Sequence, residues 1–133
     1  RLAGYRDALA EAGLPEYVEC GDFGQASGIA ATEPLLAAEP ELDAVFAADD
    51  PMAFGALRVL RQHGRRVPDD VAVIGFDDSA DAPLADPPLT TVHQSPEEMG
   101  REMARLLVSR IRGETVDDPV VIMRPHLVVR ESA

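Results

Sequence analysis

The sequence predicts an α/β fold, a parallel sheet with helices on both faces. Its strand-like runs, DAVFAA at 43–48 and VAVIGF at 71–76, are continuously apolar rather than alternating, as strands covered on both faces are. Helical periodicities separate them in the order strand, helix, strand, helix, strand, which right-handed crossovers close into a parallel sheet. A chain of 133 residues, 46% hydrophobic and 27% charged, is also long enough to bury one core.

In chain order, residues 1–12 put Leu2, Tyr5, Leu9 and Ala12 on one side at helical spacing, and Gly13 with Pro15 ends that helix. YVEC, 17–20, reads as a short first strand. A helix is expected from Gln25 to Ala38, kinked or split by Pro34, which has no backbone donor. After the strand at 43–48, Asp50 is the expected N-cap, with Pro51 in the first turn. That helix turns Ala53, Leu57 and Leu60 inward and stops at Gly64, and the strand 71–76 follows. Beyond the Pro87-Pro88 loop the rhythm breaks. LTTVHQ, 89–94, reads as an extended crossing segment, and Ser95-Pro96-Glu97-Glu98 is a capping box for a helix running to Arg112 and Gly113. PVVIM, 119–123, and HLVVR, 126–130, read as two last strands.

Charge and composition exclude several function classes. A net charge of -12 repels phosphate backbones and anionic membranes. All twelve basic side chains are arginines, so chemistry that needs a lysine is excluded. The lone Cys20 forms no internal disulfide and fits a reducing, cytoplasmic setting. No apolar run reaches membrane-spanning length and no secretory leader opens the chain. Residue 1 already reads as the first turn of a helix without an initiator Met, so a piece of a longer protein is expected.

Two apolar strands end on paired acids, Asp49-Asp50 and Asp77-Asp78. In open α/β sheets the carboxyl edge of the strands is where ligands bind. Capping and turn duties account for Asp50 and Asp78, but not for Asp49 and Asp77, which come first after each strand. Acid pairs also hold Mg²⁺ in phosphoryl-transfer sites, yet no lysine, glycine-rich phosphate loop, Cys-His pairing, GxSxG elbow or metal-spaced His cluster accompanies them. His63, His93 and His126 are scattered and read as surface or structural residues. The acids therefore read as hydrogen-bond acceptors for a ligand, with Phe23 offering an apolar face and Arg1 a charged fork. No cofactor and no metal is expected.

The series RLAGYRDAL, GDFGQASG, AVFAADDPMAFGAL, RRVPDDVAVIGFDD, PPLTTVHQSPEEMGREMARLL and LVVRES, in this order across the chain, resembles the effector-binding core of LacI/GalR-family transcriptional repressors. The resemblance implies a periplasmic-binding-protein-like type I fold, of which this chain holds mainly the C-terminal lobe. It implies a non-enzymatic regulator that binds a small molecule, a sugar or related polar metabolite, and works as a homodimer. Operator DNA would be bound only through a helix-turn-helix absent from this chain. It implies further that Arg1, Phe23, Asp49, Asp77 and Gln94 contact the effector. Asp49 stands where the family usually has Asn; an ionised Asp only accepts, which favours a hydroxyl-rich or amine-bearing effector over an anionic one. A secreted solute-binding protein of a sugar transporter is the alternative with the same lobes, and a lysine-free metal-dependent phosphatase is the enzymatic rival.

The resemblance also divides the chain. Residues 1–93 would form the C-terminal lobe, 94–123 would cross to the missing N-terminal lobe, and 124–133 would return as the last strand. Arg101, Arg105, Arg110 and Arg112 on the crossing helix interleave with Glu97, Glu98 and Glu102, which marks a solvated ion-paired face. A dimer seam is implied at Met52, Phe54, Asp81, Leu84 and Ala85, with Phe54 one position off the inward stripe of its helix. Exchange of the crossing helix between chains is the second expected route to a dimer, because Met99, Met103, Leu106 and Leu107 must be buried somewhere.

Overall fold

The computed structural model describes residues 1–114 and 120–133. Its elements are α1 (Leu2–Ala12), α2 (Gln25–Ala38), β1 (Ala44–Phe46), α3 (Asp50–Gln62), β2 (Ala72–Asp77), a 3₁₀ turn (Ala82–Leu84), β3 (Thr90–His93), α4 (Pro96–Ile111) and β4 (His126–Val128). The sheet runs β1-β2-β3-β4, with β1, β2 and β3 parallel and β4 antiparallel to β3. The parallel sheet is therefore present, with its returning strand reversed. Val92 faces Phe76 on one side and Leu127 on the other, so β3 sits inside the sheet.

The core lies between α3 and β2, where Leu57, Val59, Leu60, Val71, Val73 and Leu89 are buried. Each such side chain removed from water contributes about 1.5–3 kcal/mol. Helix α2 lies directly on α3, and two glycines make the approach possible: a Cβ at Gly28 would collide with the Met52 backbone, and one at Gly55 with the Gln25 carbonyl. The tail returns under the sheet. Buried Ser132 donates from Oγ to the Val73 carbonyl at 2.6 Å and accepts from Thr90 N at 2.8 Å, tying the last residues across β2 and β3.

Four expectations need correction. YVEC is not a strand: Tyr17 is held away from the sheet, its hydroxyl on Glu39 Oε2 at 2.8 Å and its carbonyl accepting from the Tyr5 hydroxyl at 3.3 Å, and no ladder forms with the short β1. Pro34 does not split α2, which runs unbroken from Gln25 to Ala38. The N-cap of α3 is Asp49, whose Oδ1 accepts from Met52 N at 2.8 Å, and Asp50 is already helical. Finally, residues 120–123 are not assigned to a strand, while Pro119 lies outside the described residues.

Asp50 is fully buried and is the centre of the sheet edge. Its Oδ1 accepts from Thr91 Oγ1 at 2.5 Å and its Oδ2 from Ser79 N at 2.6 Å, so one carboxylate joins the start of α3 to β3 and to the loop after β2. It packs so close to Gly75 that a Cβ there would overlap Oδ1. Asp78 has a parallel role nearer the surface. It accepts from Arg130 Nη2 at 2.7 Å and pairs with His93 Nδ1 at 2.9 Å. Burial pushes its carboxyl up, but the hydrogen bonds from Arg130 and His93 outweigh this and hold it below the ordinary value of 3.8.

Two outcomes follow. Asp50→Ala in the intact protein lowers stability by about 3 kcal/mol, the cost of two hydrogen bonds to a buried charge; a urea midpoint within error of the parent's excludes this role. For Asp78 the folded value is depressed, so its contribution is present above 3.8 and is lost as pH falls through the lower folded value. The stability gap between the parent and Asp78→Asn is thus full at neutral pH and closes in acid. A gap that does not change with pH contradicts the assignment.

Candidate functional site

The carboxyl ends of β1, β2 and β3 lie side by side and deliver Ala48 to Asp50, Asp77 to Asp78, and His93 to Gln94 to one edge. Arg1, just ahead of α1, reaches into this edge. Its Nη1 donates to the Ala48 carbonyl at 2.7 Å and its Nη2 to Asp77 Oδ1 at 3.3 Å, while the guanidinium carbon stands 3.9 Å above the centre of the Phe76 ring. Gln94 Nε2 donates to the same Asp77 oxygen. Asp77 is therefore the acceptor at which Arg1 and Gln94 meet, and the structure brings together Arg1, Asp49, Asp77 and Gln94.

The backbone is bent to present these groups. Asp77 has φ 106, Asp78 φ 54 and Phe23 φ 65, left-handed conformations that cost a non-glycine residue of order 1–3 kcal/mol. Phe23 follows Asp22, whose Oδ1 accepts from Gly24 N at 3.1 Å and fixes the turn, and the residue is 61% exposed. An exposed ring on a strained backbone is not core packing; it is an apolar face offered outward. Asp49 is the opposite case, 5% exposed. Burial, opposed by the Met52 amide, and the charges of Asp77 and Asp50, opposed by that of Arg1, leave its carboxyl above the ordinary carboxylate value.

Phe76, the ring beneath Arg1, was not singled out from the sequence, nor was the double duty of Asp50. The position of Phe76 just before the acid pair was the available signal, but a strand's apolar run gives no warning that its last ring faces a cation. An apolar cavity of about 360 Å³ between residues 17–21, α2 and β1 shares Arg1 and Phe23 with the site but none of the acids. A second groove of about 940 Å³ runs between α4 and residues 120–126 and begins at Gln94. Among the described residues no group of three or more His, Cys, Asp or Glu could hold a metal ion, and no helix is long and apolar enough to cross a membrane.

The residues of the expected seam are spread over different environments. Leu84 is 79% exposed, Asp81 is exposed, and Ala85 is half-buried. Phe54 is half-buried against the core, so its own lobe uses it more than the helical spacing implied. Met52 is 9% exposed and belongs to the core, where its side chain fills the space beside Gly21.

The entire chain, residues 1–133, matches the periplasmic binding protein-like domain family. The HTH-type transcriptional regulator CelR of Thermobifida fusca is 57% identical over 136 aligned positions, covering 99% of this chain and 40% of that protein. The solved CelR-cellobiose complex superposes with a TM-score of 0.94 at 56% identity, covering 99% of this chain and 41% of the other. A LacI-family sugar-binding regulator from Escherichia coli, complexed with phosphate, gives 0.90 at 37% identity over 100% of this chain and 49% of the other. The Lac repressor dimer bound to operator and the anti-inducer ONPF gives 0.91 at 32% identity over 99% and 40%. The chain thus spans about two fifths of the length of the curated relatives it matches. It belongs to the periplasmic binding protein-like domain family, and its relatives there are LacI-family transcriptional regulators.

Proposed function

We propose that this chain is the C-terminal part of the effector-sensing domain of a LacI-type transcriptional regulator, and that its sheet edge binds a sugar. One observation carries the reading: Arg1 and Gln94 converge on one carboxylate oxygen of Asp77, and Arg1 also lines a cavity with the outward-facing Phe23. Fixed donors and an acceptor next to an apolar face suit a hydroxylated ring, whose polar edge bonds to Asp77 while its carbon face lies on Phe23. A binding site rather than an enzyme is supported by the relatives, which are transcriptional regulators. The cellobiose complex of CelR supports a sugar as the ligand class.

Residues 1–93 would be one lobe, 94–123 the excursion into the other, and 124–133 the return. Support comes from α4, which buries none of its residues, and from Met99, Met103 and Leu107 on it, which stand exposed with Val120 and Ile122. Arg105 pairs with Glu102 one turn away on α4. Sugar held between two lobes would shift the population of closed domain and so the operator affinity of a DNA-binding segment, in the cytoplasm. Codons upstream separate the rivals: a helix-turn-helix supports regulation, and a secretory leader supports a transport protein.

In the full-length protein, Asp77→Ala weakens sugar binding by about 1.5–3 kcal/mol, the usual loss for a hydrogen bond to a charged group, with unfolding unchanged. Calorimetry with a ligand found by thermal-shift screening of sugars, nucleosides and polyamines reads this out, and unaltered affinity leaves Asp77 a turn residue. For association, the proposal is a homodimer whose seam includes exposed Leu84 with Phe54, Asp81 and Ala85. Sedimentation at about tens of micromolar, where a standard-size interface is largely formed, should give a dimer that Leu84→Glu weakens. A monomer contradicts the seam, and a dimer indifferent to Leu84→Glu points to exchange of α4.

A further inference from the structure

The site contains more acid than it can neutralise. Arg1 is committed to Asp77 and to the Ala48 carbonyl, and Arg130 to Asp78. Asp50 is satisfied by neutral donors, Thr91 and the Ser79 amide. Asp49 accepts from the Met52 amide, and among the described residues no cation pairs with it. It is nonetheless nearly buried at the same strand-end edge as Asp77. A carboxylate in that position repels any anion brought to the Asp77 hydrogen bonds, and the low local dielectric makes the repulsion stronger than in water. A hydroxyl or an ammonium meets no such barrier, because either can donate to it.

We propose that Asp49 makes this site selective by charge, admitting neutral or amine-bearing sugars and excluding sugars that carry a phosphate, sulfate or carboxylate. The inference rests on the sugar-binding reading above and deepens it. The residue is also a helix cap, which helps the test, since Asn and Ser cap as well as Asp does. Asp49→Asn and Asp49→Ser therefore remove the charge and leave the start of α3 intact.

The selectivity also depends on pH. The charges acting on Asp49 come from Asp77 on β2, Asp50 on α3 and Arg1 ahead of α1. Since its folded value lies above the ordinary one, Asp49 takes up a proton earlier than a free carboxylate as the pH falls. Exclusion of anions relaxes in the same direction.

The experiment measures binding of cellobiose and of singly sulfated cellobioses to the full-length protein by calorimetry; the sulfate charge is fixed across the range. The parent is expected to prefer cellobiose over each sulfated form, and Asp49→Asn and Asp49→Ser to narrow that ratio at least about tenfold. The ratio should fall with pH in the parent and stay flat in both variants. An unchanged ratio in both variants, or an equal pH dependence, overturns the proposal. Asp77→Ala distinguishes the levels: if it weakens cellobiose binding while the Asp49 variants change no ratio, only the charge selection fails. If it changes nothing, or if the parent binds none of the probes, the sugar reading fails and the selection with it.

Discussion

The buried carboxylate of Asp50 is the constraint on which this edge of the molecule depends. A charge with no solvent exposure is tolerable only when its lone pairs are filled, and Thr91 and the Ser79 amide fill them. Because those partners sit on β3 and in the loop after β2, satisfying one charge fixes three segments relative to each other. Gly75 follows from the same demand, since any side chain there would occupy the space of the carboxylate. The residues that converge on the sheet edge, Asp49, Asp77, Asp78 and Gln94, each lie within a few residues of one of these segments.

This gives the paired acids a common logic. In each pair the second acid serves the framework: Asp50 joins α3 to β3, and Asp78 joins the end of β2 to Arg130 and His93. The first acid of each pair faces the edge itself, Asp77 toward Arg1 and Gln94, and Asp49 under the start of α3. Two charges placed in sequence thus take different partners: the second ties the strand ends together, while the first pairs with Arg1 and Gln94 at Asp77 and caps α3 at Asp49. The left-handed backbone at Asp77 and Asp78 is what turns consecutive carboxylates to different partners.

The helices at the two ends of the chain belong to a different regime. Neither α1 nor α4 buries a residue, although α4 carries a full apolar face. Its N-terminus is nevertheless well made: Ser95 accepts from Glu98 N at 3.2 Å, and Glu97 and Glu98 stand in the first turn. Local capping fixes where this helix starts, while its packing depends on surfaces beyond the sheet. That fits a chain covering about two fifths of its relatives' length.

The sequence by itself determined the α/β class, the positions of α1, α2, α3 and α4 to within a residue or two, and the ranges of β1 and β2, because apolar runs and end signals act over a few neighbours. It also pointed to Arg1, Asp49, Asp77 and Gln94, which the fold brings together, by their places after strands and their resemblance to a family. Only the tertiary structure decided which acid of the first pair caps α3, since either residue has the right chemistry and the choice follows from where Thr91 and Ser79 lie, 41 and 29 residues away from Asp50. It likewise decided that YVEC does not join the sheet and that Met52 is core, because strand pairing and burial are set by what stands alongside and not by a residue's own pattern.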